Sequence, residues 1–187
     1  ITCHLGNGSS ITAVKRGKCV DTSMGMTPLE GLIMGTRSGN IDPAAVEMLA
    51  KFKNMSLEEI TIYLNKKSGF LGVSGVSSDF RKLCEAINAG NERPKLAYDM
   101  FNYQIRKFIG SYTVAMGGLD CIVFTGGIGE NGSLIRNTVT ENLQFLGVNV
   151  DAEINENAPR GTIVDISAKD SKVRTLVIPT NEELVIA

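Results

Sequence analysis

Apolar residues recur at three- and four-residue steps in the middle of the chain: Leu96, Met100, Phe101, Ile105, Phe108, Ile109 and Tyr112 fall on one face. That spacing predicts a long helix over roughly Arg93–Met116. The short, mostly apolar run Leu119–Phe124 that follows predicts a buried strand. Toward the start, Ile1–Leu5 and Ser9–Lys15 read as strands joined by Gly6-Asn7-Gly8, a hairpin signal, and Cys19–Thr22 as a third short strand. Residues 23–41 lack clean periodicity and are read as a long ordered loop, a feature often tied to function. Helices are predicted from Pro43 to about Lys53 with Asp42 as cap, and to about Lys67 from the capping box Ser56-Leu57-Glu58-Glu59. A third is predicted to run to about Ala89 with Ser78 as cap, after a Gly/Ser loop over 68–77. Thr125–Gly132 reads as a glycine loop and Ser133–Leu146 as a helix. Thr162–Ser167 and Arg174–Ile178 read as strands, and Thr180 begins a C-terminal helix. A β-meander, a helical block and then alternating β and α predict an α/β domain with a mixed sheet.

Composition narrows the function. At 187 residues the chain is one domain, or one and a half at most. Lys and Arg number 19 against 20 Asp and Glu, so no basic excess is available to hold a nucleic-acid backbone. No apolar run reaches the roughly 18 residues of a membrane helix. A single histidine, His4, rules out any two-His metal site. The four cysteines, at 3, 19, 84 and 121, have no CxxC spacing and read as reduced, mostly buried thiols of a cytoplasmic protein. The chain has no starting Met and opens within a predicted strand, as a piece of something longer would.

Four stretches carry candidate chemistry. His4-Leu5-Gly6-Asn7-Gly8-Ser9-Ser10 can aim backbone N–H groups and hydroxyls at one anion, although an ordinary Asn-Gly hairpin looks the same. Gly35-Thr36-Arg37-Ser38-Gly39-Asn40-Ile41-Asp42-Pro43 sets an arginine flanked by glycines inside the long loop, where its planar fork could reach a phosphoryl group or simply face solvent. Thr125-Gly126-Gly127-Ile128-Gly129-Glu130-Asn131-Gly132 follows a strand and precedes a helix, and Gly127, Gly129 and Gly132 fit the dinucleotide pattern. Its late position in the chain counts against a dinucleotide domain. Pro179-Thr180-Asn181-Glu182-Glu183 pairs Thr180 with Glu183 as a capping box and leaves Glu182 free to serve a Mg²⁺ site. A P-loop and a G-x-S-x-G elbow are both absent.

Taken in order, HLGNGSS, GTRSGNIDP, SSDFR at 77–81, FTGGIGEN at 124–131 and PTNEELVIA at 179–187 resemble the acetate kinase (acetokinase) family from end to end. The resemblance implies a ribonuclease H-like domain of the actin, Hsp70 and sugar-kinase type. It further implies that this chain is the C-terminal nucleotide-binding domain of a two-domain enzyme whose N-terminal domain is missing. The implied reaction moves the γ-phosphoryl of ATP to acetate, giving acetyl phosphate and ADP, reversibly and with Mg²⁺. By the same resemblance His4, Leu5, Gly6, Asn7 and Gly8 form a phosphate-facing hairpin, and Arg37 stabilises the transition state with His4 beside it. Asp79, Phe80 and Arg81 line the adenosine pocket with Gly127, Ile128, Gly129, Glu130 and Asn131. Glu182 is the metal-associated acid, with Glu183 the competing assignment. The family implies a homodimer and a cytoplasmic location, with no membrane or nucleic-acid partner. Groups from the missing half line the acetate pocket, so the fragment alone is expected to be inactive. The other readings are a propionate kinase of the same family, a dinucleotide-binding oxidoreductase domain, and a non-catalytic dimerisation module built on the long helix.

Overall fold

The computed structural model describes residues 1–181. Three strands open the chain, β1 (Thr2–Leu5), β2 (Ser9–Lys15) and β3 (Lys18–Thr22), and β4 (Cys121–Thr125), β5 (Val164–Asp165) and β6 (Arg174–Val177) follow later. They form one six-stranded sheet in the order β3-β2-β1-β4-β6-β5. β1, β4 and β6 are mutually parallel, whereas β3 and β5 pair antiparallel with their neighbours. The sheet is mixed, as the element order predicted.

The chain divides into two compact units. The first holds Ile1–Gly6, Ser10–Thr22 and the chain from Ile105 on. Its core alternates along the strands, with Cys3 and Leu5 on β1, Ile11 and Ala13 on β2, and Ile122 and Phe124 on β4 all fully buried. That period of two is the pleat itself.

The second unit, Asn7–Ser9 with Ser23–Gln104, is helical. It contains α1 (Pro43–Lys53), α2 (Leu57–Lys66), α3 (Gly69–Ser74), α4 (Phe80–Asn88) and the first half of α5 (Glu92–Met116). Local sequence explains the helix starts. Asp42 accepts from Ala44 N at 2.9 Å with Pro43 in the first turn. Ser56 and Glu59 form both bonds of the capping box, at 2.8 and 3.2 Å. Phe70, Phe80, Tyr98 and Phe101 pack as an aromatic cluster, with Phe70 edge-on to Phe101 at 5.0 Å.

Several expectations are corrected. Residues 68–77 are not all loop, because Gly69 at φ +64° turns the chain into α3 and Gly75 at φ +69° ends it. The cap of α4 is Asp79 rather than Ser78, its carboxylate accepting from Arg81 N. Thr125–Gly132 is largely helix, α6 (Gly126–Asn131). The helix expected over Ser133–Leu146 stops at Thr140 as α7 (Ser133–Thr140), with one 3₁₀ turn at Gln144–Leu146. A short α8 (Ala152–Glu156), capped by Asp151, went unforeseen, and the Thr162–Ser167 strand shrinks to Val164–Asp165. On α5 the buried face runs through Ala97, Tyr98 and Phe101, and Leu96 is exposed. All four cysteines are free, but only Cys3 is fully buried and Cys19 is exposed. Most of the C-terminal helix expected from Thr180 lies outside the described residues.

No helix among the described residues is long and apolar enough to cross a membrane.

Candidate active site

In the first unit the parallel strands set the geometry. His4 stands opposite Thr125 and Phe124 opposite Val177, so β1, β4 and β6 all end at the same edge of the sheet. Gly6, Gly126 and the segment after Ile178 therefore leave from neighbouring carboxyl ends, where open α/β sheets bind ligands. His4 points away from the face that buries Cys3 and Leu5. Burial pushes the Cys3 thiol up to about 12, so it supplies no thiolate.

α6 starts where β4 ends. Gly126 has φ +76°, and a Cβ there would stand 2.7 Å from Leu5 O, so only glycine lets α6 begin this close to β1. Gly132 is similarly confined, its added Cβ lying 2.7 Å from Ile128 O. Gly127 differs, because no atom of the described residues lies within 4 Å of a side chain built there.

The sequence α6 uses is a poor helix former. Gly127 and Gly129 each cost about 1 kcal/mol against alanine in a helix. Side chains hold it instead. Glu130 folds back on the first turn, its Oε1 accepting from Gly126 N, Thr180 N and the Thr180 hydroxyl, all at 2.9 Å. Asn131 Nδ2 donates to Gly127 O at 2.9 Å. Thr180 Oγ1 also contacts Thr125 Oγ1 at 2.7 Å, which ties the segment after β6 to the end of β4. The Glu130 carboxylate joins these two loops.

The second unit holds the Arg37 loop. Arg37 is half-buried, and its Nη1 donates to Pro28 O at 3.2 Å and meets Met34 Sδ at 3.4 Å. Its guanidinium lies against the Asn7–Gly8 turn, where a Cβ on Gly8 would be 3.5 Å from Nη1. Gly35 N donates to Asn7 O at 3.2 Å, so hairpin turn and arginine loop are joined through the backbone. α3 and the end of α2 then lace the loop residue by residue. Ser68 N, Phe70 N and Leu71 N donate to Thr36 O, Met34 O and Gly35 O, and Ser38 N donates to Leu64 O, at 2.8–3.0 Å. α3, which the sequence reading treated as loop, is the element that fixes Arg37. Its signal was Gly69 followed by the apolar Phe70 and Leu71.

Asp79, Phe80 and Arg81 stand at the start of α4. Asp79 caps the helix and accepts from Arg81 Nε at 3.2 Å and Nη2 at 2.7 Å. That hydrogen-bonded pairing holds the Asp79 carboxyl down to about 2. Phe80 belongs to the aromatic cluster. Glu182 and Glu183 lie outside the described residues. Among the described residues no three His, Cys, Asp or Glu side chains converge as a metal site.

A profile described as "Acetokinase family" matches residues 1–187. The chain is 60% identical over 186 residues to an acetate kinase of Lachnoclostridium phytofermentans, covering 100% of this chain and 47% of that protein. The crystal structure of Porphyromonas gingivalis acetate kinase superposes with a TM-score of 0.94 at 49% identity, covering 99% of this chain and 46% of the other. A propionate kinase from Francisella tularensis superposes with a TM-score of 0.91 at 46% identity, covering 100% of this chain and 47% of the other. The chain spans about half the length of the curated relatives it matches. These likenesses agree with the expected fold type and give the dinucleotide oxidoreductase alternative no support.

Proposed function

Because this chain belongs to the acetokinase family, we propose that it is the nucleotide-binding domain of a two-domain kinase that phosphorylates acetate. One carboxylate oxygen of acetate attacks the γ-phosphorus, the bond to the bridging oxygen breaks, and ADP leaves. No proton moves, because acetate is already ionised. Phosphoryl transfer asks mainly for positioning and for charge stabilisation at the transferring group. Arg37 is assigned the second task, with His4 and the Gly6–Gly8 turn beside the phosphates. The observation that carries this reading is the placement of the Arg37 guanidinium against the Gly8 turn, on a loop whose backbone is pinned by α3.

The adenosine end is assigned to Asp79, Phe80 and Arg81 together with the Gly127–Asn131 segment. The space at Gly127 supports this, since among the described residues no atom accounts for glycine there. Mg²⁺ would neutralise phosphate charge when bound. With no protein-only cage among the described residues, its ligands would be the nucleotide phosphates and one carboxylate, for which Glu182 is the candidate and Glu183 the alternative. Propionate is a second acceptor to consider, on the superposition with a propionate kinase. The protein is proposed to be cytoplasmic and to act as a homodimer whose N-terminal domains complete the acetate pocket.

Calorimetric titration of the full-length protein with Mg-ADP and with NAD tests the nucleotide assignment. Binding of ADP but not NAD is expected, and binding of NAD alone would overturn it. Acetyl phosphate formation from ATP and acetate then tests the reaction, with propionate run in parallel.

A further inference from the structure

Arg136, on α7, is the largest fully buried side chain among the described residues, at 2% exposure. Among the described residues no carboxylate pairs with its guanidinium. Its acceptors are an amide oxygen and backbone carbonyls: Nε donates to Asn155 Oδ1 at 2.7 Å, Nη2 to Asn155 O at 2.8 Å, and Nη1 to Gly129 O and Glu130 O at 2.9 Å each. Burial pulls its pKa down, and the charge of Glu156 opposes that shift only in part. An arginine nevertheless stays protonated in a protein.

A buried cation is an expensive way to fill space. Where packing alone is needed, apolar residues of similar volume do as well or better. The two carbonyls on Nη1 show what the charge does here. They are the last carbonyls of α6 before Asn131, and they face outward along the helix at its negative end. α6 is too short and too rich in glycine to hold itself together. Glu130 secures its first turn and Arg136 its last, while Asn155 ties Arg136 to α8.

We propose that Arg136 is a positioning residue: it holds the last carbonyls of α6 against α8 through Asn155, and so fixes the Gly127–Asn131 segment that receives the nucleotide. The functional half of this inference rests on the nucleotide reading above. Arg136 itself is buried.

The test uses the full-length protein with Arg136→Gln, Arg136→Lys and Asn155→Ala. Amide hydrogen exchange over 126–131 is compared with exchange in the sheet strands. In Arg136→Gln the 126–131 amides are expected to exchange at least tenfold faster while the strands keep their protection. The KM for ATP is expected to rise about tenfold to a hundredfold with little change in the KM for acetate, since small displacements of a binding element cost rates of that order. Arg136→Lys, which keeps one charge on the carbonyls, should recover part of both effects. Asn155→Ala leaves the arginine in place and gives a smaller change in the same direction, which serves if Arg136→Gln fails to fold. Folded variants with wild-type exchange over 126–131, or with loosened 126–131 amides and an unchanged KM for ATP, overturn the proposal. A wild-type protein in which ADP gives the 126–131 amides no protection overturns the nucleotide reading itself, and that outcome is visible without any variant.

Discussion

The Arg37 loop and α6 present glycine-rich backbone in two different ways. The loop at 34–38 is fixed by backbone-to-backbone bonds from α3 and the end of α2, which leaves the arginine side chain to its own contacts. α6 is fixed by side chains, Glu130 at its start, Asn131 across it and Arg136 at its end. Both use glycines for close approach, Gly69 against the loop and Gly126 against β1. Only α6 adds side chains that brace both of its ends.

The largest effect expected is on chemistry. Arg37→Ala in the full-length enzyme should lower kcat by about 10³-fold or more, the scale of arginines that act on a transferring phosphoryl group. The KM for ATP should change far less, because the role proposed for Arg37 is in the transition state. Equal losses in kcat and in nucleotide affinity would instead put Arg37 in ground-state binding.

Two glycine substitutions sharpen the contrast. Gly69 sits at φ +64°, where a Cβ would collide with Met34 O and crowd the backbone of Arg37. Gly69→Ala should cost about 2 kcal/mol or more, from the left-handed backbone and the clash together. Urea unfolding reads the loss, and an unchanged midpoint would mean that α3 does not pin the loop. Gly127→Ala meets no atom of the described residues and should change the unfolding free energy by no more than about 1 kcal/mol while raising the KM for ATP. Wild-type ATP kinetics in that variant would remove the case for a ligand against Gly127.

The smallest effect concerns Asp79. Its folded pKa is about 2, below the ordinary value of 3.8, because Arg81 bonds its ionised form. A depressed carboxylate stabilises the fold above its unfolded pKa and loses that contribution as pH falls through the folded one. Stability from this group should thus be complete above about pH 5 and fade between pH 4 and 2. Asp79→Asn keeps a good cap but removes the charge, and should flatten that part of the pH–stability curve. An identical acid limb in wild type and variant would mean that the pair adds nothing measurable, as many exposed pairs do.

Much of this was legible before any coordinates. The caps at Asp42 and Ser56 use bonds that span two or three residues, so the residues that make the bond also announce it. Strands β1 and β2 were visible from the Gly6-Asn7-Gly8 turn between them, and β4 from its short apolar run. Candidate chemistry was legible as residue type, an arginine between glycines or a glycine run after an apolar strand. α3 and α6 were not, because their stability comes from partners far along the chain. Phe70 N reaches back to Met34 O, and Thr180 reaches Glu130 across 50 residues. No window of local propensity contains those bonds.

Where α1 and α2 start follows from short-range chemistry written along the chain. Whether Glu130 meets a ligand or joins two loops, and whether a buried arginine is needed at 136, depends on which distant groups arrive beside them. Glycine-rich segments have little preference of their own. Their conformation is therefore set by long-range hydrogen bonds and by charge at their ends, which exist only once the sheet and its surrounding helices have assembled.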